Sequence, residues 1–223
     1  MNFREFIETI CFGSIIASLV LYAIIFVLSV LEYLKLKRLV FILLLMECVG
    51  FIYDGLIITL GKVMSDDVLK GTNIVRYIMH GILVPFLIAF TGYALRFRRD
   101  KLYINWVITL ICIIIGLLAA IFSKMKIEDL ANVKRCGIHE DTPNWVNSIY
   151  NVLNIGSVIY MIIAGLILLI LKREFFYFLS GLFMLIFSAI GPATGNADLT
   201  FIFSIYGEML MIIFLFVFFK KYG

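Results

Sequence analysis

Charge is scarce in this chain. Of its 223 residues, 15% are Asp, Glu, Lys or Arg and 63% are hydrophobic, and the mean hydropathy is +1.09. A soluble domain is roughly half apolar and about a quarter charged, so this composition excludes an ordinary water-soluble globule. Proline is almost missing, with three residues, which leaves long helices free to run unbroken. The formal net charge of +4 comes mostly from connecting segments, which argues against nucleic acid as a partner.

Other absences close off particular chemistries. The chain has two histidines, His80 and His139. Seven-span zinc hydrolases of the ceramide or adiponectin-receptor type need about three, so a metal site is not expected. The only lysines near the last apolar run are Lys220 and Lys221, at its end, which excludes a retinal Schiff base there. No glycine-rich phosphate loop is present. No Ser-His-Asp arrangement is legible from local spacing; Ser14 or Ser18 could join His80 and Asp54 only in three dimensions. No cofactor is expected. The four cysteines, Cys11, Cys48, Cys112 and Cys136, have no metal-ligand spacing. Cys48 and Cys112 read as packing residues. Cys11 and Cys136 fall near one face of the membrane, where an oxidising compartment would permit a disulfide; the sequence leaves that pairing open.

What the chain does have is seven apolar runs, at about 10–34, 39–61, 72–95, 102–123, 145–171, 175–193 and 198–219. Each is near or above the ~20 residues that cross a bilayer as a helix, and none shows the ~10-residue alternation of a membrane barrel. The expected fold is therefore an all-α seven-transmembrane-helix bundle, a single polytopic domain over residues 1–223 whose constant partner is the lipid bilayer. The first run is too long for a signal-peptide core and reads as a retained span. No lipidation or retention signal is expected at either end.

Lys and Arg are distributed unevenly between the spans. Lys35, Lys37 and Arg38, then Arg96, Arg98, Arg99 and Lys101, then Lys172 and Arg173, then Lys220 and Lys221 fall on one side. The other side has Arg4, Lys62, Lys70 and four basic residues in an acidic loop, Lys124, Lys126, Lys134 and Arg135. The positive-inside rule makes the first side cytoplasmic. The expectation is a plasma-membrane protein with its N-terminus outside and its C-terminus inside. Between Lys124 and Asn144 lies the longest polar connection, and Lys126–Lys134 is expected to lie flat as a short helix.

The spans are not uniformly apolar. Glu47 and Asp54 are seven apart, on one face of span 2. Arg76 and His80 are four apart, on one face of span 3. The link Lys62–Gly71 makes these spans antiparallel neighbours. At 1.5 Å per residue, Asp54 and His80 lie about 12 Å inside the same end. Arg76 is about one turn shallower and Glu47 about two turns deeper. A charge facing mid-bilayer lipid costs a few kcal/mol, so these groups are expected to face protein, with Asp54 able to reach Arg76 or His80. Glu208 in span 7 lies at a depth between Asp54 and Glu47. Ser14, Ser18 and Tyr22 form a polar stripe on span 1, and Asn147, Asn151 and Asn154 another on span 5. Pro85 is expected to bend span 3. The run Gly191-Pro192-Ala193-Thr194-Gly195 should end span 6. Span 4 is the plainest and should be peripheral.

A faint echo relates the two halves. Lys37-Arg38 precedes Phe41, and Lys172-Arg173 precedes Phe176 at the same offset. With an odd central span, this permits a 3+1+3 plan of two parallel repeats. In topology that plan resembles the sugar-efflux and KDEL-receptor group of seven-span proteins. The Pro-Gln signature of that group is absent, since spans 1 and 5 contain no proline.

The polar residues of the spans gather in the outer half. The reading that follows is an outward-facing site for a small molecule or ion, bound or transported, lined by Glu47, Asp54, Arg76, His80, Asn151, Asn154 and Glu208. Two alternatives remain open. One is an intramembrane enzyme acting on a lipid or isoprenoid, with His80 as general base oriented by Asp54. The other is a non-catalytic sensor or assembly partner, in which the charges only hold helices together.

Overall fold

The computed structural model describes residues 3–222, with side chains from residue 9 onward; Arg4, used above for orientation, lies outside the described side chains. Its helices are α1 Phe3–Leu36, α2 Leu39–Leu60, α3 Asp66–Ala94, α4 Arg99–Phe122, α5 Asn144–Lys172, α6 Phe176–Ala193 and α7 Ala197–Tyr222. All seven are long and apolar enough to cross a bilayer. The chain is thus an all-α multi-pass membrane bundle. α1 and α3 start earlier than their apolar runs. α3 takes in part of the Lys62–Gly71 link: Ser65 flanks its start and Asp66 and Asp67 fill its first turn, where negative charge complements the helix dipole. α3 continues through Pro85. α6 ends at Ala193, and Gly195 follows with φ of 65°.

The segment expected as a short surface helix is instead a β-hairpin, β1 Met125–Leu130 paired antiparallel with β2 Val133–Ile138. Its two-residue turn, Ala131 and Asn132, has positive φ at both positions (47° and 61°), the backbone of a tight hairpin turn. Asparagine tolerates that conformation readily and alanine does not. The Ala131 N–H donates to Asp198 Oδ1 at 2.6 Å, and Ala131 is buried against α1 and α7 residues. Tertiary contacts thus hold a turn that helix propensity opposed. Further anchors are Lys134 on Asp66 at 2.5 Å and Lys62 on Asn132.

The helices close a ring. α1 packs on α2 and α7, α2 on α3, α3 on α5, α5 on α6, and α6 on α7, while α4 lies outside against α3 and α5. α4 approaches through small residues. A side-chain carbon at Gly81 of α3 would meet the Gly116 backbone of α4 at 2.8 Å, so neither position has room for one. Outward faces are apolar: Phe12, Ile16, Val20, Ile24, Val27 and Leu31 make one exposed stripe down α1, suited to lipid rather than water.

At the end remote from the hairpin, α1, α3 and α5 each finish in a left-handed basic residue: Lys37, Arg96 and Arg173, with φ of 53°, 53° and 57°. Arg96 reaches Glu174 at 3.4 Å and the Tyr222 carbonyl at 2.7 Å. Glu32 faces both Lys35 and Lys220 at 3.7 Å. Phe41 and Tyr177 are both fully buried. Phe41, Phe90, Tyr177, Phe218 and Phe219 form the apolar core near this end, and the Tyr177 hydroxyl lies 2.7 Å from Thr91 Oγ1.

Candidate functional site

α2 and α3 stand side by side, and Asp54 meets Arg76. Arg76 Nε faces Asp54 Oδ1, and Nη2 lies 3.5 Å from Oδ2. Their side chains are 13% and 11% exposed respectively. One turn earlier on α3, buried Asn73 accepts from Arg76 Nη1 at 3.5 Å and donates to the Leu69 carbonyl at 2.8 Å. The Tyr77 ring lies 5.8 Å from the guanidinium. Asn73 and Tyr77 were not singled out from sequence; the i−3 spacing of Asn73 from Arg76 was a usable signal.

Two cavities stack along the inner faces of α2, α3 and α7. The smaller, about 50 Å³, lies toward the hairpin; Ser18, Tyr22, Asp54, Arg76, Ser204 and Arg135 are its polar lining, together with Glu208. The larger, about 260 Å³, lies deeper; Glu47, His80, Asn154, Ser188 and Glu208 are its polar lining, set among Leu, Val, Phe and Met side chains. The seven-residue step from Glu47 to Asp54 and the four-residue step from His80 to Arg76 each move from the larger cavity to the smaller. Glu208 and Phe51 line both.

The larger cavity draws side chains from α2, α3, α5, α6 and α7. Glu47 is 3% exposed, and its Oε1 has no hydrogen-bond partner among the described residues. Glu208 is close enough to act on it electrostatically. Two carboxylates in one weakly screened cavity repel, and a proton or a cation relieves that repulsion. His80 Nδ1 lies 3.1 Å from the Arg76 carbonyl. With Nδ1 as donor, Nε2 is left as an acceptor. Asp54 gives its carboxylate to Arg76 rather than bonding to the imidazole.

The smaller cavity is walled by the hairpin through Arg135, whose Nε bonds Glu128 Oε1 at 2.9 Å and whose guanidinium sits 4.8 Å above the Phe201 ring. Sequence reasoning left Arg135 among loop charges. Only the folding of the hairpin back onto the bundle brings it here. Tyr22 is 2% exposed, stacks on Phe51 at 4.9 Å, and its hydroxyl has no partner among the described residues.

Not every predicted residue joins the site. Asn151 and Asn154 are both exposed, but only Asn154 lines the larger cavity and Asn151 lines neither. Ser14 bonds Tyr206 at 2.9 Å, tying α1 to α7. Cys11 and Cys136 are free, buried thiols in separate apolar clusters. Among the described residues no three His, Cys, Asp or Glu side chains gather as a metal-ligand set. Comparison with protein-family models finds no match, and comparison with curated proteins finds no relative, so the functional reading rests on the geometry of the two cavities.

Proposed function

We propose that this multi-pass membrane protein binds a small ligand in the larger cavity and moves it across the plasma membrane. The apolar part of the ligand lies against Phe51, Leu83, Leu87, Val158 and Met211, and a cationic or hydrogen-donating group faces Glu47 and Glu208. The single observation that carries this reading is Glu47. A carboxyl group with an unpartnered oxygen, 3% exposed in the middle of a bundle and lining a cavity, is costly unless something occupies that cavity. A ligand screen by thermal melting of the purified protein tests it. A ligand at a hundred-fold excess over its Kd stabilises by about 2.7 kcal/mol. The expected hits are small amphiphilic cations, and Glu47→Gln removes their stabilisation while leaving a folded protein. Hits confined to anions, or shifts unchanged in Glu47→Gln, would refute this assignment.

The charge asymmetry supports an orientation with the hairpin end outside. Glu140, 90% exposed beside the hairpin, and Arg98, exposed at the opposite end, are the reporters. Glu140→Cys is expected to react with an impermeant maleimide applied to intact cells, and Arg98→Cys only after permeabilisation. The reverse pattern would place the site on the cytoplasmic side.

One observation favours a second reading, an intramembrane enzyme acting on a lipid or isoprenoid. The Arg76 carbonyl holds His80 Nδ1, and the free Nε2 has the position of a general base. The engagement of Asp54 with Arg76 leaves that base without a carboxylate bonded behind it, which is why transport is preferred.

A further inference from the structure

The smaller cavity has a feature that ligand binding in the larger one does not require. Its polar lining comes from α1, α2, α3, α7 and the hairpin, and it touches the larger cavity only along Phe51 and Glu208. Phe51 is apolar, so the chemistry of the junction belongs to Glu208. Tyr22, 2% exposed and with its hydroxyl unpartnered among the described residues, lines the same small space. A buried hydroxyl in that condition calls for water or a ligand beside it, and about 50 Å³ has room for a few ordered waters and little else.

The charges facing Glu208 are Glu47 and Asp54 from α2, Arg76 and His80 from α3, and Arg135 from the hairpin; Tyr22 is the titratable group from α1, and α5 and α6 present only Asn154, Met184 and Ser188 with Val158. Asp54 is taken up by Arg76, and Arg135 by Glu128. Glu208 has no hydrogen-bond or ion-pair partner among the described residues. A hard metal cation would need several oxygens at once, and in this space it would meet two guanidinium groups. A proton needs one base.

Building on the reading of the larger cavity as a ligand site, we propose that the smaller cavity is a water-filled proton path from the hairpin end and that Glu208 is the proton-carrying group at its inner end. The O–H bond of the Glu208 carboxyl breaks when its proton passes to water in the smaller cavity, leaving a carboxylate for a cationic ligand in the larger one. Return of a proton from that water re-forms the O–H bond and releases the ligand. Proton and ligand thus exchange at one carboxyl group from opposite sides.

Infrared titration of the protein in lipid nanodiscs tests this without any ligand, so a failure here is separate from a failure of the ligand screen. A protonated-carboxyl band that disappears as the pH is raised is expected in the wild type. It should be missing in Glu208→Gln and shifted in Glu208→Asp, which guards against a misfolded Gln variant. Its midpoint should be the same in sodium chloride and in potassium chloride. Transfer to D2O should shift the band promptly in the wild type, and slowly in Ser204→Leu, which fills the smaller cavity. A band that does not depend on residue 208, a midpoint that moves with sodium, or exchange indifferent to Ser204→Leu would each overturn the proposal. The second outcome would make the cavity a sodium site.

Discussion

Asp54→Asn is expected to lower the unfolding free energy by about 3–5 kcal/mol, because it strands a cation with little access to water. Arg76 is held from three directions: by Asp54, by Asn73 Oδ1 at 3.5 Å, and over the Tyr77 ring at 5.8 Å. Replacing the carboxylate with an amide keeps the shape and deletes the charge, so the loss measures the uncompensated guanidinium and not a cavity. Asp54→Asn combined with Arg76→Gln is expected to recover most of it, since two neutral polar side chains can bond each other and nothing charged remains buried. The measurement is denaturant or thermal unfolding of the single and double variants in detergent, read as a double-mutant cycle. Additive losses would mean that the pair contributes nothing as a pair. The pair also joins α2 and α3 in the lining of the smaller cavity, so the single variants are expected to weaken ligand binding as well as stability.

The second large effect is that of His80→Gln, and it separates the two functional readings. As a general base the imidazole would act in every turnover, and its loss would cost about 10²–10⁴ in rate while ligand binding survives. In a transporter it is a polar wall of the ligand cavity, while Glu208 carries the proton. Replacement of His80 is then expected to weaken ligand binding and to leave the dependence of flux on a pH gradient in place. The assay is reconstitution in liposomes, with candidate lipids followed for turnover and hits from the melting screen followed for uptake. Weaker ligand binding with pH-gradient dependence preserved is the expected result. Loss of product formation would favour the enzyme. A variant equal to wild type in both assays, at equal folded amounts, would reduce the polar groups of α2 and α3 to a structural clasp.

Much of the site was legible before folding because depth along a helix is local arithmetic. Counting 1.5 Å per residue from the ends of the spans placed Asp54 and His80 at one level, Arg76 about a turn shallower and Glu47 deeper, and a short link between α2 and α3 made their meeting a matter of geometry. Glu208, at an intermediate depth by the same count, lines both cavities. What such counting does not supply is azimuth. Asn151 and Asn154 differ by about 60° around α5, and that rotation decides that Asn154 faces the larger cavity while Asn151 does not. Asn73 went unnoticed because a lone asparagine near a helix end has many uses. Its role exists only because Arg76 is turned toward Asp54.

The sequence by itself determined the seven membrane helices and the levels of their charged groups, since each follows from hydropathy and helical rise within one segment. Tertiary structure alone decided the rest. It folded Met125–Ile138 into a hairpin, because Asp198 holds a left-handed Ala131 against local helix propensity. It carried Arg135 from a charged loop to the wall of a cavity beside Asp54 and Arg76. It also set α1 and α7 beside α2, so that Tyr22 and Glu208, 186 positions apart in the chain, line one small space. Contacts between such distant residues depend on which helix faces meet, a property of the whole bundle that no single segment encodes.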